Sequence, residues 1–337
     1  MNGYREVART VRVIVLVSML VVAPVVGSVP AGVTGAESVP GGVSAEQASD
    51  TTADPGDEGV GPNEAGATAT TAVDGTVQVD VAVSDLPGDG SRSDPYEISN
   101  ASELQAMEDD LTANYTLGAD INATGTADWN DGSGFDPIGG AFDAFEGTLD
   151  GNEHVITGLT INRSGSGGVG LFGGIGGTVS NATLVELDVT GSRNVGGLTG
   201  RINIGGVVRY VAVHGTVIGS GDQIGGLAGE HDGDLVVGSS SGGTVVGTDE
   251  VGGLVGRNSG RVRASYSLAA VSGRIGGAQI GGLAGNNLDT IRASYAAGAV
   301  NGDSAVGGLV GDNIFGGTVS ESYWDTEATG GFYSAGG

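Results

Sequence analysis

Two acidic side chains are the strongest candidates for catalysis in this sequence of 337 residues. Asp222 and Asp249 each stand five residues before the leucine of a repeated Gly-Gly-Leu string. If the repeats stack as neighbouring strands, the two carboxylates lie about 4.8 Å apart, close to the separation in a retaining glycosidase. Stacked acids point the same way, however, whereas a glycosidase needs them on opposite sides of the scissile bond. We therefore interpret both as parts of a solvated acidic loop and predict no catalytic residue and no enzyme.

An acidic glycine loop is the weak candidate for metal binding. Residues 128–136 read DWNDGSGFD, and the oxygen-bearing candidates are Asp128, Asn130, Asp131 and Asp136. Calcium prefers such ligands, but the EF-hand spacing fails because Gly132 occupies the third ligand position and no glutamate closes the loop. An acidic turn is the simpler interpretation, and a calcium site is the alternative.

Several other chemistries are excluded by composition and spacing. The chain has no lysine and no cysteine, which removes Walker A loops, Schiff bases, thiol nucleophiles and cysteine-bound metals. The string GSGGVG (165–170) matches GxGxxG, but no helical pattern follows it, so no cofactor is expected. His154, His214 and His231 are far apart and are interpreted as surface or turn residues.

The charge balance restricts the partners. Forty acidic residues face 13 basic ones, all of them arginine, which gives a net charge of −27. This net charge argues against nucleic acid as a partner, because phosphate binding needs a basic surface. Repulsion among so many acidic side chains destabilises a compact fold, and this effect is smallest in high salt, which screens the charges. The composition is therefore typical of a haloarchaeal protein. An ordinary acidic secreted protein is the alternative.

The first 90 residues predict export and a linker. Arginines precede the apolar run VIVLVSMLVVAPVVG (13–27), and small residues follow, as in a signal peptide over residues 1–36. An uncleaved signal anchor is the alternative, and no membrane span is expected after signal removal. Residues 37–90 are rich in Gly, Ala, Thr, Asp and Glu, which predicts a disordered acidic linker. We therefore expect a secreted or cell-surface protein.

Glycosylation is the modification that the sequence suggests. An exported chain can carry glycans at the N-x-S/T pattern. The candidates all precede the regular repeats and are Asn100, Asn114, Asn122, Asn162 and Asn181.

A repeat of 26–29 residues dominates the remainder of the chain. Its marker leucines are Leu171, Leu198, Leu227, Leu254, Leu283 and Leu309. Between the markers, short runs rich in β-branched residues alternate with polar ones; in LVELDVTG (184–191), Val185, Leu187 and Val189 share one face. Such a unit buries its apolar face only by stacking on its neighbours. Residues 91–337 are therefore predicted to form an all-β parallel β-solenoid with the leucines in one buried column.

A short capping helix is predicted at about residues 101–112. Leu104, Met107 and Leu111 follow helical spacing, and Asn100 provides an N-cap.

Two predictions concern the registration of the coils. The residues three positions after the marker leucines are Arg201, Glu230, Arg257, Asn286 and Asp312, and we expect them to form one outward ladder. In RVRASYS (261–267), outward arginines would put Val262, Ala264 and Tyr266 inside, but Glu321 occupies the alanine position in the last copy, TVSESYW. The facing of the strands near Tyr266, Tyr295 and Tyr323 is left open.

The repeats resemble those of proteins with the GLUG motif, which is represented here by GLTG (197–200), GLAG (226–229), GLVG (253–256), GLAG (282–285) and GLVG (308–311). The segments DPYEISNASELQAM, FEGTLDGNEHVITGLTI and SYWDTEATG are similar to segments of haloarchaeal exported surface proteins. The resemblance covers roughly residues 91–337 and implies a surface-associated repetitive β-structure with no chemistry of its own.

We therefore expect a non-catalytic surface or secreted protein with a structural, adhesive or matrix-binding role. Its expected partners are cell-surface components or extracellular glycans and proteins. The alternatives are a carbohydrate-active β-helix enzyme, either a polysaccharide lyase or a hydrolase, and an accessory module of a surface enzyme.

Overall fold

The computed structural model describes residues 78–140, 142–330 and 333–334. The predicted signal peptide and residues 37–77 of the predicted linker lie outside the described residues. The last part of that linker contacts the first coil, because Leu86 is buried and the Val83 N–H donates to the Asp109 carboxylate. The compact part of the chain therefore begins before residue 91.

Short parallel strands form a β-solenoid of about six coils with a spacing of about 28 residues, which confirms the predicted fold class. The nine-stranded sheet comprises Tyr96–Ile98, Asn114–Leu117, Thr148–Asp150, Thr178–Ser180, Val207–Arg209, Leu235–Val237, Arg261–Arg263, Thr290–Arg292 and Thr318–Ser320. The eleven-stranded sheet comprises Ile121–Asn122, Val155–Thr157, Thr160–Asn162, Thr183–Gly191, Ala212–Gly219, Ser240–Gly247, Tyr266–Ser267, Ala270–Gly273, Tyr295–Ala296, Val300–Asn301 and Tyr323–Trp324.

Two smaller sheets complete each coil. The six-stranded sheet comprises Phe172–Ile175, Thr199–Ile202, Ala228–His231, Val255–Asn258, Ala284–Asn287 and Val310–Asn313. The five-stranded sheet comprises Val195–Gly196, Ile224–Gly225, Val251–Gly252, Ala278–Gly281 and Ser304–Gly307. Among the described residues, 3-10 helices occupy Val83–Asp85, Ala106–Asp109, Thr124–Asp128 and Asn130–Gly132.

The capping helix is shorter than the predicted span of 101–112. The α-helix Ala101–Gln105 continues as the 3-10 helix Ala106–Asp109 and stops there. Asn100 caps its start, where the side-chain oxygen accepts a backbone N–H three residues on, at 3.0 Å. Asp110 ends it, because its backbone is extended and its carboxylate accepts the N–H two residues further on. No helix among the described residues is long and apolar enough to cross a membrane.

The marker leucines line the interior and are bonded to one another through the backbone. All six, from Leu171 to Leu309, are at most 1% exposed. The Leu227 N–H donates to the Leu254 carbonyl at 2.9 Å, and the Leu254 N–H donates to Leu283 at 2.8 Å. The leucines therefore occupy the same place in successive coils.

The last glycine of each GLxG string lies where two sheets of the coil come together. A methyl group added at Gly256 would lie 2.5 Å from the backbone nitrogen of Ile224 in the preceding coil. Because backbone atoms cannot move aside as a flexible side chain can, only glycine fits here. This contact explains the constant glycine.

The interior also contains polar ladders that the repeat pattern did not predict. Asn258 Nδ2 donates to Asn287 Oδ1, and Asn287 Nδ2 donates to Asn313 Oδ1, both at 2.7 Å. At one corner of the coil, the Ser265 hydroxyl accepts the Ser239 N–H and donates to a carbonyl of its own coil. These bonds satisfy polar groups that would otherwise be costly to bury.

The facing predicted for Val185 is wrong, and the facing left open near Tyr266 is outward; a left-handed backbone residue explains each. Glu186 (φ 55°) forms a bulge that turns Val185 away from the interior, so that the strand 184–191 does not alternate strictly. Ala264 (φ 49°) turns the corner between the nine-stranded and eleven-stranded sheets, so it is exposed and Tyr266 points outward. Glu321 occupies the same exposed corner in the last coil, which removes the apparent conflict with alanine.

Candidate functional site

The column of charged residues after the marker leucines lies in register, as predicted. The backbone pairs Arg201 with Glu230, Glu230 with Arg257, and Arg257 with Asn286. Both arginines contact Glu230, with Arg201 Nε at 3.6 Å and Arg257 Nη1 at 3.9 Å from its carboxylate oxygens. Arg201 also forms an ion pair with Asp232. The coils therefore stack without a slip.

The same column is only partly outward: the arginine side chains are 39% and 35% exposed, whereas the prediction was wrong for the residues that follow them. Glu230 is 8% exposed and Asn286 is 3% exposed. Residues that directly precede strands of the five-stranded sheet form a second column, which covers these two side chains. In this contact, Asn194 Nδ2 donates to Glu230 Oε2 at 3.0 Å and Asn286 Nδ2 donates to Glu250 Oε1 at 2.8 Å. Burial raises the pKa of Glu230, as does Asp232, against the lowering effect of the arginines. The two columns form a structural network.

The paired carboxylates occupy successive coils. The Gln223 N–H donates to the Asp249 carbonyl, while the Asp222 carbonyl accepts an N–H from the coil before, so the two acids follow one line along the stack. Burial raises the pKa of Asp222, and the neighbouring Asp249 raises it further. Asp249 Oδ1 accepts the Ala278 N–H at 2.6 Å, which fixes its side chain against the next coil. The acids thus stand side by side in one column.

The candidate calcium loop is held together by its own hydrogen bonds. Asn130 Nδ2 donates to the Gly134 carbonyl at 2.8 Å and to Asp136 Oδ2 at 3.1 Å. Asp136 also forms an ion pair with Arg163, while Asp128 and Asp131 are exposed. Within the described ranges, no three His, Cys, Asp or Glu side chains are grouped to hold a metal ion.

The histidines differ from one another in environment. His154 lies 3.1 Å from Asp120, and His214 is exposed. His231 is fully buried, so its interpretation as a surface or turn residue was wrong. It stands in register with Asn258, directly before the asparagine ladder. Its Nδ1 accepts the Gly233 N–H, and burial lowers its pKa to about 4.

The five predicted glycosylation sites fall into two groups. Asn114 and Asn181 use their amide nitrogens: the first donates to the Gly90 carbonyl, and the second donates to an aspartate of the coil before. Asn122 and Asn162 are exposed at strand ends of the eleven-stranded sheet. Asn100 is exposed as well, and its side-chain oxygen, like that of Asn122, accepts a backbone N–H, so that the bond does not involve the amide nitrogen that would carry a glycan.

The sequence is similar to parts of larger known proteins. No protein-family model matches it. It is 44% identical over 164 residues to Halomucin of Haloquadratum walsbyi, an alignment that covers 46% of this chain and 2% of that protein. It is 39% identical over 133 residues to a protein of Evansella cellulosilytica named as a Gly-rich membrane protein, covering 37% of this chain and 15% of the relative. The chain therefore spans only a small part of the length of both relatives.

One solved structure, a candidate immunoglobulin A1 protease from Bacteroides ovatus, has a similar backbone. It is 26% identical, with a TM-score of 0.49, and the match covers 71% of this chain and 72% of that one. A likeness of this degree does not extend the activity of that protein to this chain.

Proposed function

We propose that this chain is a non-catalytic repeat protein of the cell surface or the extracellular space, with a structural, adhesive or matrix-binding role. The observation that carries the proposal is the filled interior of the stack, in which the leucine column and the asparagine ladder occupy the core of successive coils. Contacts with other molecules are therefore made by the outer faces. The similarity to part of Halomucin supports the surface location.

The same proposal has three further parts: a relationship to GLUG-motif proteins, export by the N-terminal signal, and glycosylation. The GLxG strings support the first, because each places its last glycine at a close backbone contact. The apolar run after three arginines supports the second, and exposed sequons support the third. Expected partners are extracellular glycans or surface proteins.

Surface labelling of intact cells in molar salt tests the location. An antibody against the folded region should label unbroken cells or be absorbed by the culture medium. Labelling only after lysis would overturn the proposal. A cytoplasmic protein of the same cells serves as the control for breakage.

Cleavage of a polysaccharide is the second candidate, and the raised pKa of Asp222 beside Asp249 is the observation that favours it. We expect no cleavage of acidic or neutral polysaccharides in molar salt beyond that of the double variant Asp222→Asn, Asp249→Asn. Cleavage by the unaltered protein that the double variant loses would replace the non-catalytic proposal with an enzymatic one.

A further inference from the structure

One outer face of the solenoid is basic, although the chain as a whole carries a net charge of −27. It is formed by the last six strands of the nine-stranded sheet, from Thr178–Ser180 to Thr318–Ser320. Each of these strands is three residues long, with its central residue inward and the other two outward. The outward positions of these strands contain no aspartate or glutamate. They contain four of the 13 arginines of the chain: Arg209, Arg261, Arg263 and Arg292. We call this group the arginine face.

The arginines of this face follow the axis of the stack. Arg209 pairs with Val237, and Val237 pairs with Arg263, which in turn pairs with Arg292. Neighbouring strands are about 4.8 Å apart, so the row extends roughly 15 Å. Arg261 lies two residues before Arg263 on the same strand, about 7 Å away. The arrangement is a narrow strip of positive charge.

Two members of the arginine face are available for a partner. All four arginines are exposed. Arg292 is held by Glu321, with Nη2 3.0 Å from Oε1, and Arg261 Nε donates to the Asp234 carbonyl at 3.1 Å. Arg209 and Arg263 form no ion pair with any residue that the structure describes. Their charge is therefore not neutralised within the described part of the chain.

Tyrosines border the row at the adjacent corner. Tyr210 follows Arg209 directly and is 62% exposed. Its ring covers the corner of the next coil, because a methyl group added at Gly238 would lie 2.5 Å from Tyr210 Cδ1. Beyond the corner, Tyr266 and Tyr295 stand in register on neighbouring coils. Each ring offers an apolar surface with a polar hydroxyl.

We infer that the arginine face binds a linear acidic polysaccharide whose sugars carry carboxylates, an inference that rests on the proposed surface function. A guanidinium binds a carboxylate through two parallel hydrogen bonds. These hydrogen-bonded contacts act at short range and therefore persist in molar salt. Electrostatic attraction over more than a few ångströms is screened there. The tyrosine rings provide the amphipathic border that suits sugar rings.

Binding of the full chain to immobilised polygalacturonate in molar salt tests the inference, with dextran as the neutral polymer. The variant Arg209→Gln, Arg263→Gln should weaken binding about tenfold or more, since charge-assisted bidentate contacts are lost. The matched control Arg92→Gln, Arg193→Gln removes the same charge from exposed sites elsewhere and should bind as the unaltered chain does. Unfolding curves of both variants verify that they fold.

Three results would overturn the inference. They are absence of binding to polygalacturonate, equal binding to dextran, and equal weakening in both double variants. A separate competition experiment uses a synthetic peptide of residues 46–64, an acidic segment of this chain. If the peptide displaces the protein from polygalacturonate at a lower concentration than free polygalacturonate does, the face binds an acidic polypeptide instead. None of these results alters the labelling of intact cells, so failure here is distinguishable from failure of the proposed function.

Discussion

Replacing His231 by asparagine should make the protein less sensitive to acid. His231 is buried at the position directly before the asparagine ladder, in register with Asn258. The Oδ1 atom of Asn258 is buried without a hydrogen-bond partner. An amide at position 231 can donate to that oxygen and extend the ladder by one coil, which offsets the loss of the histidine's bond to Gly233.

The magnitude follows from the pKa of the buried imidazole. Burial lowers the pKa of His231 from 6.5 to about 4. Since the unfolded chain takes up a proton below pH 6.5 and the folded chain does so only below about 4, stability is complete above pH 6.5 and falls as the pH decreases towards 4. At 1.36 kcal/mol for each pKa unit, the loss reaches about 3 kcal/mol once both states are protonated.

Denaturant unfolding in molar salt between pH 7.5 and 4.5 measures this effect. The carboxylates titrate in both proteins, so the difference between the unaltered chain and His231→Asn isolates the imidazole. We expect the difference in the free energy of unfolding to shift by about 2.5 kcal/mol in favour of the variant over this range. His214→Asn, which makes the same substitution at an exposed histidine, is the matched control. A difference curve for His231→Asn that stays flat to within about 0.5 kcal/mol would refute the reasoning.

Two further predictions concern the backbone and the sequons. Gly256→Ala should destabilise the protein by about 3 kcal/mol or prevent folding, because the added methyl group would meet backbone atoms of the preceding coil. The control is Gly165→Ala, where nothing lies within 4 Å of the added atom, and equal thermal unfolding of the two variants would contradict the packing role. Among the five sequons, Asn100, Asn122 and Asn162 should carry glycans in protein from its native source, whereas Asn114 and Asn181, whose amide nitrogens are engaged, should not. Mass spectrometry of glycopeptides tests this, and modification confined to Asn114 and Asn181 would show that the amide contacts do not decide occupancy.

The repeat period was sufficient to predict the coil, the parallel pairing and the register of Arg201, Glu230 and Arg257, because stacking fixes equivalent positions side by side. The alternation of apolar and polar residues alone did not predict which side chains of each strand point inward. Positive φ at Glu186 and Ala264 changes which side chains point inward, and neither residue type signals that backbone conformation.

The repeat pattern also did not predict which polar residues are buried. His231 and Asn287 occupy inward positions that β-branched residues fill in earlier coils, such as Ile202. They are stable there because each bonds to a neighbouring coil or to a nearby backbone group. The strand pattern identifies inward positions, but it does not reveal these partners.

The arginine face remains unexplained by the requirements of the fold. Inward residues of a coil are constrained by packing, whereas outward residues of a short strand need only remain soluble. Like charges directly opposed on neighbouring strands are destabilising, by roughly 0.2–1 kcal/mol at low salt. Glu321 offsets this repulsion for Arg292, but the residue opposite Arg263 in the preceding coil is Val237, which offers no compensation. The uncompensated charge of Arg263 directly beside Arg292 is therefore a cost to the isolated chain, and the anionic partner that we infer would supply the compensation that the fold lacks.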